Sequence, residues 1–194
     1  MGIENKSNAE KKYRARKMML WFGIVSLSMT FAGLTSAFIV SSSRPDWVDG
    51  FQLPDAFVYS TIVIILSSLS LIFAKKMILT QKHTQANIGI LLTFILGVIF
   101  IVLQFSGFKS ITEQGYFFTG SASNITASYI YLIAFLHVVH IASGMLVLLV
   151  LIYNHFKNKY KKGQMLGFEL GATFWHFVDV LWLFLFFFFI YFLG

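Results

Sequence analysis

The chain has no cysteine, which removes disulfides, thiolate metal sites and iron–sulfur ligation from what it can do by itself. Charge is scarce as well. Only 12% of residues are Asp, Glu, Lys or Arg against 57% hydrophobic, with a mean hydropathy of +0.75, which excludes an ordinary soluble domain of this length. Proline occurs twice, as Pro45 and Pro54, both in one connection, so no apolar run is broken by it. Acidic residues number 8 against 15 basic ones.

What remains is long hydrophobic runs. A helix needs about 20 residues to cross a hydrocarbon layer roughly 30 Å thick. Stretches near 18–40, 54–75, 86–107, 127–152 and 169–192 are long enough. The fold class is therefore all-α, a polytopic membrane bundle of five transmembrane helices, with a basic segment at 1–17 ahead of a membrane domain at 18–194. The first run follows Lys11, Lys12, Arg14, Arg16 and Lys17, as a signal peptide would. It is too long for that and no small-residue cleavage site follows, so it reads as a retained span.

Of the fifteen Lys and Arg, thirteen lie in the head, in the second connection (Lys75, Lys76, Lys82) or in the fourth (Lys157, Lys159, Lys161, Lys162). Arg44 and Lys109 fall on the other side. The positive-inside rule then places the N-terminus in the cytoplasm and the C-terminus outside. The net charge of +7 is topological rather than a nucleic-acid signature. Basic connections beside a bilayer also attract anionic headgroups.

Ionisable residues inside the runs carry the functional information, because each costs about 3 kcal/mol or more in hydrocarbon unless it faces other helices. They are His137 and His140 in the fourth run, and Glu169, His176 and Asp179 in the fifth. Spacings of three and seven keep each set on one helix side. Helical rise puts His140 level with His176, and His137 level with Asp179, so an antiparallel ladder between the last two spans is expected. Gln104 stands near the outer end of the third run, where water can serve it. Hydroxyls at Ser67, Ser68 and Ser70 mark the buried side of the second. Asn124-Ile125-Thr126 matches a glycosylation acceptor, a pattern common by chance.

Three roles are open for the polar residues. They can pair across helices and hold the bundle. His137, His140 and His176 can ligate haem, as in a membrane cytochrome b anchor. Glu169 and Asp179 can form a transport relay, although no internal repeat or broken helix accompanies them.

The last run reads Gly167-Phe168-Glu169, then Trp175-His176-Phe177-Val178-Asp179-Val180-Leu181-Trp182. This resembles the signature of subunit III of the haem–copper terminal oxidases. His137, His140 and Gly144 match a second block of that family, with Val138 where a small residue is usual. Phe31-Ala32-Gly33, Leu53-Pro54, Ser67-Ser68 and Gln104 are weaker echoes in the same order. The chain is similar to the short five-helix form of cytochrome c oxidase subunit III, without the two helices that precede these in the longer form.

The resemblance implies a non-catalytic accessory subunit with no cofactor or metal of its own. Haems and copper would belong to partner subunits. The chain would pack on subunit I, beside subunit II and with subunit IV or other respiratory complexes, bind phospholipid, and support proton uptake during oxygen reduction in a bacterial inner membrane. His137, His140, Glu169, His176 and Asp179 would hold the bundle, and Trp175, Trp182, Lys161 and Lys162 would meet lipid or a neighbouring subunit. The wording of the last motif leans to cytochrome c as electron donor, with a quinol oxidase as the alternative. One departure matters: family members commonly carry an acidic residue after the serine that corresponds to Ser26, and here Leu27 stands there. No proton role of that carboxylate transfers to this chain.

Overall fold

Apolar side chains cannot satisfy a backbone, and in lipid no water does so either, so each run must close its own hydrogen bonds as a helix. The computed structural model, which describes residues 2–48, 51–120, 124–157 and 165–193, shows five helices: α1 (Gly2–Ser41), α2 (Asp55–Leu79), α3 (His83–Glu113), α4 (Ile125–Phe156) and α5 (Leu166–Leu193). All five are long and apolar enough to cross a membrane. The basic segment and the first span are one continuous helix, so the change at residue 17 is one of composition and not of structure.

Helices α2, α3, α4 and α5 form a closed ring of neighbours, with α2 packed most extensively on α3 and also touching α5. α1 lies outside the ring, against α4 and α5. The core of the ring is aromatic: Phe57, Phe100, Phe168, Trp175, Trp182 and Phe189 are all fully buried. Phe57, Phe100 and Trp182 meet edge to face, with centroids 5.3 to 5.7 Å apart around the indole, an arrangement that adds about 1 kcal/mol per pair to burial.

The ends follow local chemistry. α3 stops at Gly115 (φ 86°), whose N–H donates to the Thr112 carbonyl while that of Tyr116 donates to Ile111. This is a Schellman closure. α2 ends the same way, Gln81 donating to Ile78 and Lys82 to Met77, but its left-handed residue is Gln81 at φ 59°. Asn124 caps α4 by accepting the Ala127 N–H at 2.7 Å, and Thr126 accepts the Val48 N–H at 3.0 Å. Asn124 and Thr126 thus have structural work in the fold. Pro54 precedes α2 as its N-cap. Trp47 packs on Phe38, centroids 4.8 Å apart. In the same loop the Arg44 guanidinium hydrogen-bonds both Asp46 oxygens, at 2.9 and 3.2 Å. That bond holds the Asp46 carboxyl below its ordinary range, so the pair is present at neutral pH and is lost as acid protonates Asp46.

Gly89 lets α2 and α3 approach most closely: an added Cβ would stand 2.9 Å from Ala74 Cβ and 3.2 Å from its Cα. The obstacle includes backbone, which no rotamer change relieves. At Gly33 nothing lies within 4 Å. Gly89→Val is expected to lower the thermal unfolding midpoint of the solubilised protein, at a cost of about 1–3 kcal/mol, while Gly33→Val leaves it nearly unchanged. Gln81→Gly removes a side chain from a left-handed position and is expected to raise the midpoint, by roughly 0.5–1 kcal/mol in stability. A fluorescence-monitored melt in one detergent measures all three.

Candidate functional site: the hydroxyl seam of α2 and the cleft beside it

α2 carries Ser60, Thr61, Ser67, Ser68 and Ser70, and the spacing of seven between Ser60 and Ser67, and between Thr61 and Ser68, sets them in two adjoining stripes. Toward α3, Ser60 accepts from Gln104 Nε2 at 2.9 Å, Ser67 donates to the Thr93 carbonyl at 3.3 Å and Ser70 to the Gly89 carbonyl at 2.9 Å. Toward α5, Ser67 accepts the Trp175 indole N–H at 3.2 Å and Thr61 that of Trp182 at 2.9 Å. Ser68 Oγ lies 2.5 Å from His176 Nδ1, the tautomer deciding which one donates. A single helix therefore satisfies buried polar groups from both of its ring neighbours. Gln104 is fully buried; its amide N–H goes to Ser60, while its Oε1 has no hydrogen-bond partner among the described residues.

The expected ladder between α4 and α5 does not form. His137 and Asp179 are both buried, yet neither imidazole nitrogen and neither carboxyl oxygen is hydrogen-bonded. His137 sits in an aromatic enclosure, 5.1 Å from Trp182 and 6.0 Å from Phe100 between centroids. His140 Nδ1 donates to Leu136 O of its own helix at 2.6 Å, and its ring meets Phe31 at 5.5 Å. His176 bonds to α2. The Ser68 hydroxyl bonds His176, and no hydrogen bond joins it to the Asp179 carboxyl. Helical rise gives depth and leaves rotation open; the α2 hydroxyls turn the polar side of α5 toward α2, and Trp182 takes the surface facing His137.

Trp175 and Trp182 are likewise corrected. Both are 0% exposed and bonded inside the ring, which leaves no indole surface for lipid or a neighbouring subunit. Lys161 and Lys162 lie outside the described residues. Glu169 lines a cleft of about 320 Å³ at the basic end, between α1 (Tyr13, Lys17, Leu20, Trp21) and α2 (Lys75), with Leu170 and Thr173 of α5 as its floor. Glu169, Thr173 and His176 fall on one stripe of α5.

The ionisable residues stand out in the sequence, whereas most of their partners do not. Ser60, Thr61 and Ser67 were legible as small buried-face residues, and their spacing of seven was the available signal. That buried indoles need acceptors was the second signal.

These features define a multi-pass α-helical membrane protein whose interior polar groups are engaged largely by one another. A family model described as cytochrome c oxidase subunit III matches residues 10–194. The chain is 34% identical over 139 residues to cytochrome c oxidase subunit 3 of Spodoptera frugiperda, covering 70% of this chain and 86% of that protein. It is 33% identical to the Drosophila melanogaster protein of the same name over 70% of this chain, and spans about half (48%) of that longer relative. The Bacillus sp. (strain PS3) protein of that name is 26% identical over 92% of this chain and 86% of its own length. The chain belongs to the cytochrome c oxidase subunit III family.

The Trp182 to Thr61 bond is the clearest single link between α5 and α2. A double-mutant cycle of Trp182→Phe and Thr61→Val is expected to give a coupling of about 0.5–2 kcal/mol, read from unfolding of the solubilised protein. Additive effects would show that the bond contributes nothing.

Proposed function

We propose that the chain is a non-catalytic subunit of an aerobic haem–copper terminal oxidase, packing on the subunit that holds the haems and copper, beside a second core subunit, and steadying both. The observation that carries this reading is the family match along residues 10–194. The engagement of Gln104, Trp175, Trp182 and His176 with α2 supports it, because their polar atoms serve the bundle. Cytochrome c is the proposed electron donor of the whole complex, in keeping with the names of the relatives.

In this reading the basic ends of α1 and α2 face the cytoplasm of a bacterium, as the distribution of Lys and Arg favours. Phospholipid would cover the exposed apolar flanks. An apolar groove of about 280 Å³ between α3 and α4, lined by Phe108, Phe118, Tyr131, Leu132 and Phe135, is suited to an acyl chain. Its one hydroxyl, on Tyr131, is bonded to the Phe108 carbonyl at 3.0 Å and leaves the wall nonpolar.

Mild solubilisation followed by mass spectrometry tests the assignment. The chain is expected to co-elute with an oxygen-consuming core and with a copper-binding subunit bearing Cys and His ligands. Asp179→Leu is expected to lower the yield of assembled complex several-fold while the haem spectra of what survives stay normal. A coloured isolated chain, or altered spectra in fully assembled complex, would instead support haem contact by this chain.

A further inference from the structure

We propose that the cleft at the basic end of the bundle holds one phospholipid whose headgroup carries a primary ammonium beside its phosphate, with Lys17 and Lys75 on the phosphate and Glu169 and Thr173 on the ammonium. This is recognition of a headgroup, unlike the covering of apolar flanks by acyl chains. It rests on the five helices long enough to cross a membrane and not on the assignment to an oxidase.

The charged groups around the cleft are not paired with one another. Lys17 comes from α1, Lys75 from α2 and Glu169 from α5, so three helices bring two cations and one carboxylate to a single space of about 320 Å³. The ion pairs among the described residues lie elsewhere, Arg44 with Asp46 and Lys109 with Glu113. Lys75 and Glu169 are half-buried, whereas Lys76 beside the first is exposed. A half-buried charge has lost part of its water, which makes a partner worth more to it than to an exposed one. Thr173 adds an unengaged hydroxyl. Thr30, Thr35, Thr61, Thr93 and Thr112 each donate to a carbonyl of their own helix, and among the described residues Thr173 makes no such bond.

The surroundings select the ligand. Lys17 is the last charge of α1 before its apolar run, which sets the cleft at the depth of lipid headgroups. Leu20, Leu166 and Leu170 give it an apolar side along which acyl chains can leave. Its volume stands near the lower end of the roughly 300–1,000 Å³ usual for small-ligand sites, which suits a headgroup rather than a whole lipid. A simple anion would bridge the two lysines but bring its charge against Glu169, which then stays unpaired. A zwitterion with phosphate and ammonium close together meets all three charges, and charge-assisted bonds are the stronger class. The quaternary ammonium of choline has no N–H for the Glu169 carboxylate or the Thr173 hydroxyl. The primary ammonium of ethanolamine carries donors for both.

The test is native mass spectrometry of the intact purified complex, exposed to an equal mixture of ethanolamine, glycerol and choline phospholipids with the same acyl chains. The readout is the lipid that stays on this chain when it is ejected. The unaltered chain should keep an ethanolamine lipid in preference to the other two. Glu169→Gln removes the charged acceptor for the ammonium and should shift the ratio toward the glycerol lipid by about tenfold, the scale of one charge-assisted bond. Lys17→Gln, a change at an exposed position of α1, should lower retention of ethanolamine and glycerol lipid alike by about threefold, and it supplies the test if the Glu169 variant does not assemble. Equal retention of the three headgroups, an unchanged ratio in Glu169→Gln, or unchanged retention in Lys17→Gln overturns the site. So does a chain that keeps no lipid, the result expected if a neighbouring subunit fills the cleft. Absence of an oxygen-consuming core from the preparation would overturn the proposed function and leave the lipid result standing.

Discussion

A buried hydrogen-bond donor in a water-free interior must find an acceptor within the protein, and in this bundle the acceptors stand along α2. The two indoles of α5 and the amide of Gln104 would each be stranded in hydrocarbon without Thr61, Ser67 and Ser60. An unmade bond there costs the desolvation of the donor, which exceeds what a formed one contributes. The hydroxyls therefore act mainly by excluding other arrangements: rotate α5 away from α2 and both indole N–H groups lose their partners at once. Aromatic packing supplies most of the attraction, and the seam fixes which rotation of α5 is allowed.

Close approach makes the seam possible. Short side chains such as Ser and Thr reach a neighbour only when backbones are near, and Gly89 against Ala74 brings α3 to that distance. Ser70 then bonds the carbonyl of the same glycine. Small residue and hydroxyl are one device, the first clearing the space that the second bridges. In lipid, where apolar surface gains nothing by leaving its surroundings, such contact and bonding take over from hydrophobic burial as the reason helices associate.

How much could be read in advance follows from the same physics. The number of spans, their order and the polar residues worth watching were legible, because hydropathy and the cost of charge in hydrocarbon are properties of residues taken singly. The partners of those polar residues were not. Which side of α5 faces which neighbour depends on the summed demands of Trp175, Trp182, His176 and Asp179, all on a helix so apolar that periodicity is nearly silent. The resemblance implied that Trp175 and Trp182 meet lipid or a neighbouring subunit, but Ser67 and Thr61 of α2 accept their N–H groups and draw them inside. Asn124-Ile125-Thr126 shows the converse, a surface-like motif whose first and third side chains are taken up by an N-cap and a loop.

α1 stands apart from this economy of partners. It runs 40 residues without a break, about 60 Å at the rise of an α-helix and roughly twice the hydrocarbon thickness. Among the described helices it rests on α4 and α5 alone. A helix that long projects beyond the hydrocarbon layer at its charged end, so a sideways pull on that arm is passed along one continuous hydrogen-bonded element to the face it shares with α4 and α5.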